Sequence, residues 1–254
     1  RSALLAAAAL PLAATLPRPA LAAAEMMGPS QSLANRFKLG AFEVTALLVG
    51  TRTVPDPQKI FGLNATPEAF AEASAANFIP TNKAQFFFTP TVVNTGAELV
   101  LFDTGLNPDG TLAALTAAGY SADQVDAVVL THMHGDHVGG LSGDAGVTFP
   151  NARYVTGAVE HNHWMGAANE NFDGKVRPLN EKIAFVDDGS SVAGGITAMM
   201  AAGHTPGHMG YMLESDGKQL MLTSDLANHY VYSLAYPDWE VTFDMDKAAA
   251  AATR

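Results

Sequence analysis

Thr131-His132-Met133-His134-Gly135-Asp136-His137 is the stretch from which the rest of the chain is read. It places three of the chain's eight histidines and one carboxylate within a few residues. The run before it, Val125-Asp126-Ala127-Val128-Val129-Leu130, is short, apolar and β-branched, the pattern of a buried strand. Val138-Gly139-Gly140-Leu141, which follows, is small and turn-prone. The cluster therefore lies where a strand ends and the chain turns towards a helix. In α/β proteins, ligand sites gather at the carboxyl ends of strands.

The spacing suits metal chemistry. Residues two apart in an extended backbone point the same way, so His132 and His134 can bind one ion together. Asp136 and His137 fall on the turn and can reach a second position, at about the ~3.5–4 Å separation of two-metal hydrolases. Imidazole and carboxylate ligands suit zinc, and iron or manganese also fit.

Three further blocks follow the same order as a known family. Leu101-Phe102-Asp103-Thr104-Gly105 is a strand ending in an Asp-Thr-Gly turn. Gly203-His204-Thr205-Pro206-Gly207-His208 and Thr223-Ser224-Asp225 come later. Together with H-x-H-x-D-H, these blocks resemble the metallo-β-lactamase superfamily from about Phe37 to the end. Within it, the resemblance is to the methyl parathion hydrolase and acyl-homoserine lactonase-like group.

The resemblance implies an α/β fold, a four-layer αβ/βα sandwich, and a pair of divalent ions. The first ion would take His132, His134 and His204. The second would take Asp136 and His137, with Asp225 bridging both. It implies hydrolysis by a metal-bound hydroxide, with Asp136 or Asp225 orienting the nucleophile and carrying a proton to the leaving group. One more histidine of the family pattern falls downstream of a helix beginning near Asp246. The chain ends before that block, so a fold truncated at the C-terminus is expected. His208 is expected to support its loop. Asp103 is open between a plain turn and a partner for a ligand histidine or nearby backbone. An aromatic from the insert after Val159 lies over the metals in similar hydrolases, which makes Trp164 a substrate-contact candidate, together with Phe87. His161 and His163 lie outside the ligand blocks, and two residues apart on a helix they do not share a face.

The chain's 254 residues suffice for one large α/β domain. It has no cysteine, which excludes disulfides, a thiol nucleophile and thiolate ligands. A net charge of −11 argues against nucleic acid, whose phosphates call for basic patches, and otherwise favours solubility. There is neither a phosphate-cradling P-loop nor a Gly-x-Ser-x-Gly elbow.

Residues 1–24 read as part of a secretory signal peptide: an Ala/Leu run from Leu4 to Leu16, then Pro17-Arg18-Pro19 and Ala20-Leu21-Ala22. Arg1 would fit the second arginine of a twin-arginine signal. The expected location is the periplasm or the exterior, with no membrane attachment of the mature form. Loss of Arg1 and Arg18 would take the charge from −11 to −13. Residues 25–36 read as a flexible leader and 37–254 as the hydrolase domain.

Within the domain, Phe37–Gly50 reads as a first strand and Thr51–Ala84 as irregular. The exception is a helix near Pro67–Ala76, with Thr66 as N-cap and Pro67 at its first position. Gln85–Val93 and Ala97–Phe102 read as strands joined at Asn94-Thr95-Gly96, and Asp109–Ala118 as a helix ended by Gly119. Ile183–Val186, Ile196–Ala201, Tyr211–Glu214 and Leu220–Thr223 form a second group of strands, with Asp216-Gly217 a hairpin turn. Trp239–Phe243 is a last strand, and a helix starts at Asp246.

True β-lactamases of this superfamily lack the bridging aspartate that Asp225 supplies. The expected substrates are therefore lactones, related esters or organophosphate triesters. A thioesterase or β-lactamase using the same site, and an inactive metal-binding fragment, are the alternatives. A homodimer is compatible with the reading.

Overall fold

The structure, a computed structural model, describes residues 32–254. The signal-peptide stretch 1–24 and leader residues 25–31 lie outside the described residues. Of the rest of the expected leader, residues 34–36 are part of the sheet. Strand β1 (Ala34–Leu39) pairs antiparallel with β2 (Phe42–Leu47), so the single strand expected over Phe37–Gly50 is a hairpin. The turn escapes sequence reading because Gly40-Ala41 lacks the Asn-Gly or Asp-Gly signature. Gly40 takes φ +60°, and a Cβ there would meet the Ser215 carbonyl.

β3 (Gly50–Pro55) follows directly, inside the stretch expected to be irregular. After α1 (Pro67–Ala76) the chain returns as β4 (Lys83–Phe88), and β3 and β4 pair as a two-stranded ribbon. α1 starts as its sequence dictates: Thr66 Oγ1 accepts from Ala69 N at 3.2 Å, and Pro67 occupies the first turn. The strand expected over Gln85–Val93 is two. Pro90 has no N–H for a ladder, and β5 (Thr91–Asn94) begins after it in a different sheet.

β5 turns into β6 (Leu99–Phe102), closed by Thr95 N on Glu98 O at 3.0 Å. α2 (Pro108–Ala117) is capped by Asn107 and ended by Gly119 at φ +84°. Then come β7 (Ala127–Leu130), the short α3 (Gly135–Val138), a small ribbon of β8 (Ser142–Gly143) and β9 (Gly146–Val147), β10 (Arg153–Gly157) and α4 (Ala158–Gly166). β11 (Ile183–Val186) was expected beside the later strands. It instead pairs parallel with β10, because Ala158–Lys182 is long enough for the crossover that a parallel neighbour needs.

The first sheet has seven strands in the order β1-β2-β5-β6-β7-β10-β11. The second is β12 (Ser191–Ala193), β13 (Ile196–Met200), β14 (Met209–Ser215) and β15 (Lys218–Leu222), all antiparallel. Asp216-Gly217 makes the expected turn between the last two, with both residues at positive φ. Trp239–Phe243 contributes one isolated bridge, Phe61 to Val241, and no strand. α5 (Lys247–Thr253) is capped by Asp246.

Both faces of the first sheet are covered, so β6 and β7 are buried throughout. Val100, Phe102, Ala127 and Val129 pack towards the second sheet with Ile196, Tyr211 and Leu213. Leu101, Val128 and Leu130 point the other way, against Leu115 of α2 and Trp164 of α4. The pattern is the αβ/βα sandwich. Its functional edge is where β6, β7 and β15 end.

The layers approach closely at Gly139-Gly140, where a Cβ on Gly140 would meet the Thr104 carbonyl. Gly140→Ala is expected to lower the unfolding free energy by about 1–3 kcal/mol in a denaturant titration. Gly174→Ala, with open space around it, changes it by less than about 0.5 kcal/mol.

Candidate metal centre

The site is assembled from strand ends. β6 finishes at Asp103, which takes φ +59°, a left-handed conformation that Asp tolerates. This turn aims its carboxylate across to the end of β7. Oδ1 accepts from Thr131 N, and Oδ2 accepts from Thr131 Oγ1 and lies against His137 Nδ1, each at 2.8 Å. Asp103 is thus a turn residue and the partner of a candidate ligand at once. Thr104 completes the clamp by donating its N–H and hydroxyl to the His137 carbonyl at 2.7 and 2.9 Å.

His132 and His134 leave β7 in extended geometry and converge as their spacing predicts. His132 Nε2 lies 3.0 Å from His134 Nδ1, which lies 3.0 Å from His204 Nε2. His204 arrives from the loop between β13 and β14. One nitrogen facing two others cannot share one proton with both. A cation among them would take all three lone pairs. Burial pushes His132 well below the usual histidine range and His134 down to about 4, with the neighbouring imidazoles adding to it. Neutral imidazoles are what a divalent ion requires.

A second group joins His132, His137 and Asp225, whose donor atoms lie within 4.8 Å of one another. Asp225 follows β15 on a 3-10 turn (Ser224–Leu226). Its oxygens face different partners: Oδ1 is 3.4 Å from His137 Nε2, and Oδ2 is 3.4 Å from His204 Nε2. Asp225 thus stands between the two groups. Asp136 stands just outside both groups, its Oδ2 3.8 Å from His137 Nε2. Burial alone would lower the His137 pKa, but Asp225 and Asp103 reverse this and hold it well above the usual range. Burial would raise the Asp225 pKa, but His137 dominates and pulls it well below the carboxylate range.

The six residues assigned to metal by sequence are therefore gathered in one place. They form part of the floor of a cavity of about 850 Å³, except His132, which is fully buried behind it. Phe87 is on the cavity wall and 54% exposed, with Phe86 and Phe88 beside it. Trp164 is placed differently from its expectation. It is buried in the helix-side core, its Nε1 donating to Glu160 Oε1 at 2.6 Å. Its ring meets that of His134 edge-on at 5.8 Å, from the protein side and outside the cavity wall.

His161 bonds Asn180 and His163 belongs to neither group. His229 stacks on Tyr232 and accepts two backbone N–H groups. His208 is buried with its ring 5.1 Å from that of His132, and neither of its ring nitrogens has a hydrogen-bond partner among the described residues.

Two partners escape sequence reading. Asp244 is buried, its Oδ1 3.2 Å from His204 Nδ1, and it pairs with Arg254 at 2.8 Å. Asp244 and Asp246 both precede α5 and look alike in sequence; only the fold shows that Asp246 caps the helix and Asp244 backs His204. Glu160 is the other, a single acid at the start of an otherwise ordinary helix.

The model of the metallo-beta-lactamase superfamily matches residues 89–251, more than half of the chain. The chain belongs to the metallo-β-lactamase superfamily.

Among curated relatives, this superfamily member is 30% identical over 136 residues to the atrochrysone carboxyl ACP thioesterase dmxR1 of a Cryptosporiopsis species, covering 53% of this chain and 36% of that one. It is 28% identical over 130 residues to the N-acyl homoserine lactonase AttM of Azorhizobium caulinodans, covering 47% and 48%. The chain thus spans half or less of the length of these relatives. Among solved structures, AidC, a dizinc quorum-quenching lactonase, superposes with a TM-score of 0.77 at 25% identity, over 88% of this chain and 85% of AidC.

His132 and His134 are already neutral at pH 7, whereas His137 carries a proton that it must lose to become a ligand. Zinc filling the second group of metal-free protein at pH 7 is expected to release about one proton, the one held on His137. Affinity at the second group should rise with pH through neutrality, as His137 gives up its proton. Calorimetry in buffers of different ionisation enthalpy checks this.

Proposed function

We propose that the chain is a metal-dependent hydrolase of lactones and related esters, working with two divalent ions, zinc foremost. The observation that carries this reading is Asp225, whose two oxygens face His137 on one side and His204 on the other. A carboxylate so placed suits two ions held close together and a water between them. Bound zinc would polarise the substrate oxygen and lower the pKa of water towards neutrality.

The protein's own groups supply the rest. Asp225 and Asp136, both at the cavity floor, are placed to orient the water and pass its proton to the leaving group. Asn228 Nδ2 donates to Asp225 Oδ2 at 2.9 Å and fixes its angle. Phe86, Phe87, Leu106 and Phe243 form an apolar wall for an acyl or aryl portion. The likeness to AidC and AttM supports a lactone as substrate. Organophosphate triesters would use the same floor. The likeness to dmxR1 favours thioesters as a second reading. The composition of residues 1–24 supports export to the periplasm or beyond.

The test is a comparison of rates on an acyl-homoserine lactone, an aryl phosphotriester, a thioester and a cephalosporin, with and without a chelator. The lactone is expected to react fastest, the chelator to abolish turnover and zinc to restore it. Asp225→Asn is expected to lower kcat by about 10²–10⁴-fold. Phe87→Ala should mainly raise KM for substrates with long apolar tails. A faster thioester would favour the second reading. Undiminished turnover in protein stripped of metal would overturn the proposal.

A further inference from the structure

Glu160 is fully buried in the first turn of α4 and is no ligand. Four donors converge on its two oxygens, all of them neutral. Oε1 accepts from Met133 N at 3.1 Å and from Trp164 Nε1 at 2.6 Å. Oε2 accepts from Thr205 Oγ1 at 2.7 Å and from Gly207 N at 3.0 Å. Met133 lies between His132 and His134, and Thr205 directly follows His204. One carboxylate thus ties together the two loops that carry all three nitrogens of the first group. The second loop also lies tight on the helix, where a Cβ on Gly207 would collide with Glu160 N.

Chemistry explains why an acid occupies this position. A buried carboxyl group is costly unless its oxygens are hydrogen-bonded, and here both are bonded twice. A carboxylate only accepts, so it can serve four donors; a glutamine of equal size would turn an NH₂ against two of them. A well-formed metal site keeps its ligand distances within about 0.2 Å of the standard values. The loops holding His134 and His204, whose nitrogens stand 3.0 Å apart, must therefore be held equally well.

We propose that Glu160 is a positioning residue that sets the spacing of the first metal group by stapling its two ligand loops, with Trp164 and Thr205 as its partners. The inference rests on the reading of that group as a metal site.

Zinc affinity by chelator competition and the absorption spectrum of the cobalt(II) form test it, with unfolding temperature recorded in parallel. Glu160→Gln is expected to raise the zinc dissociation constant about 10–100-fold and to alter the cobalt spectrum. Thr205→Val, which removes one donor and keeps the shape, should do so to a smaller extent. The double variant should lose less than the product of the two single effects, because both act through one staple. Ser74→Ala removes a buried hydroxyl bonded to Tyr232, away from the site, and controls for lost stability alone. Glu160→Gln and Thr205→Val binding zinc with wild-type affinity and spectrum, and differing only in unfolding temperature as Ser74→Ala does, would overturn the proposal. If Glu160→Gln does not fold, Thr205→Val decides in the same way. Wild-type protein that binds no zinc would defeat the metal reading itself rather than the staple.

Discussion

The candidate centre depends on the carboxylate of Asp103, which holds the ends of two parallel strands in register. Its three partners are a backbone N–H, the hydroxyl of Thr131 and the Nδ1 of His137. Those contacts fix where β7 stops and how the following turn leaves it. They also commit the outer nitrogen of His137, leaving Nε2 to face the cavity. The left-handed backbone at Asp103 makes this possible, since it swings the side chain across the sheet rather than along it. Ser224, next to Asp225 and bonded to Thr131 Oγ1, is also left-handed. Unfavourable backbone conformations thus meet at the site, as they do where function constrains geometry.

Two of the four histidines, His137 and His204, have a carboxylate behind the ring. Asp103 backs His137 and Asp244 backs His204, while His132 turns its Nδ1 to the hydroxyl of Thr131. Such partners choose the tautomer and aim the free lone pair inwards. Asp225 faces the opposite way, from the cavity side. Asp103 and Asp244 contact the Nδ1 side of the His137 and His204 rings, and Asp225 their Nε2 side. That division reconciles many buried charges with a stable floor, because each has a committed partner.

What was legible in the sequence was local. H-x-H-x-D-H could be read because a strand makes alternate residues neighbours, and the Thr66 cap and the Gly119 helix end could be read because each is decided within a few residues. The hairpin at Gly40, the parallel placement of β11 and the division of Gln85–Val93 by Pro90 depend on which strands meet, which local pattern does not encode. The same limit applies to the site. Glu160 and Asp244 act through contacts with segments far away in the chain, and an isolated acid carries no mark of its future partner. Trp164 shows the converse. An aromatic in the right insert suggested the cavity, but its N–H found Glu160, one helical turn back, and the ring turned inwards with it.

The match to the superfamily begins at residue 89, just after β4. Every metal-directed residue lies beyond that point. Arg52 and Phe86 to Phe88, which build one wall of the cavity, lie before it. The floor and one wall thus come from different parts of the chain. The floor needs fixed distances between nitrogens and oxygens, and any member that keeps the chemistry must keep them. The wall needs only to exclude water and fit whatever is attached to the reacting group, a demand met by ribbon residues that face the cavity without bonding to the centre. The wall is therefore built by β3 and β4 together with the loop carrying Phe243, and the floor by the ends of β6, β7 and β15 with the loop carrying His204. A resemblance resting on the second set speaks firmly about the kind of reaction and only loosely about its substrate.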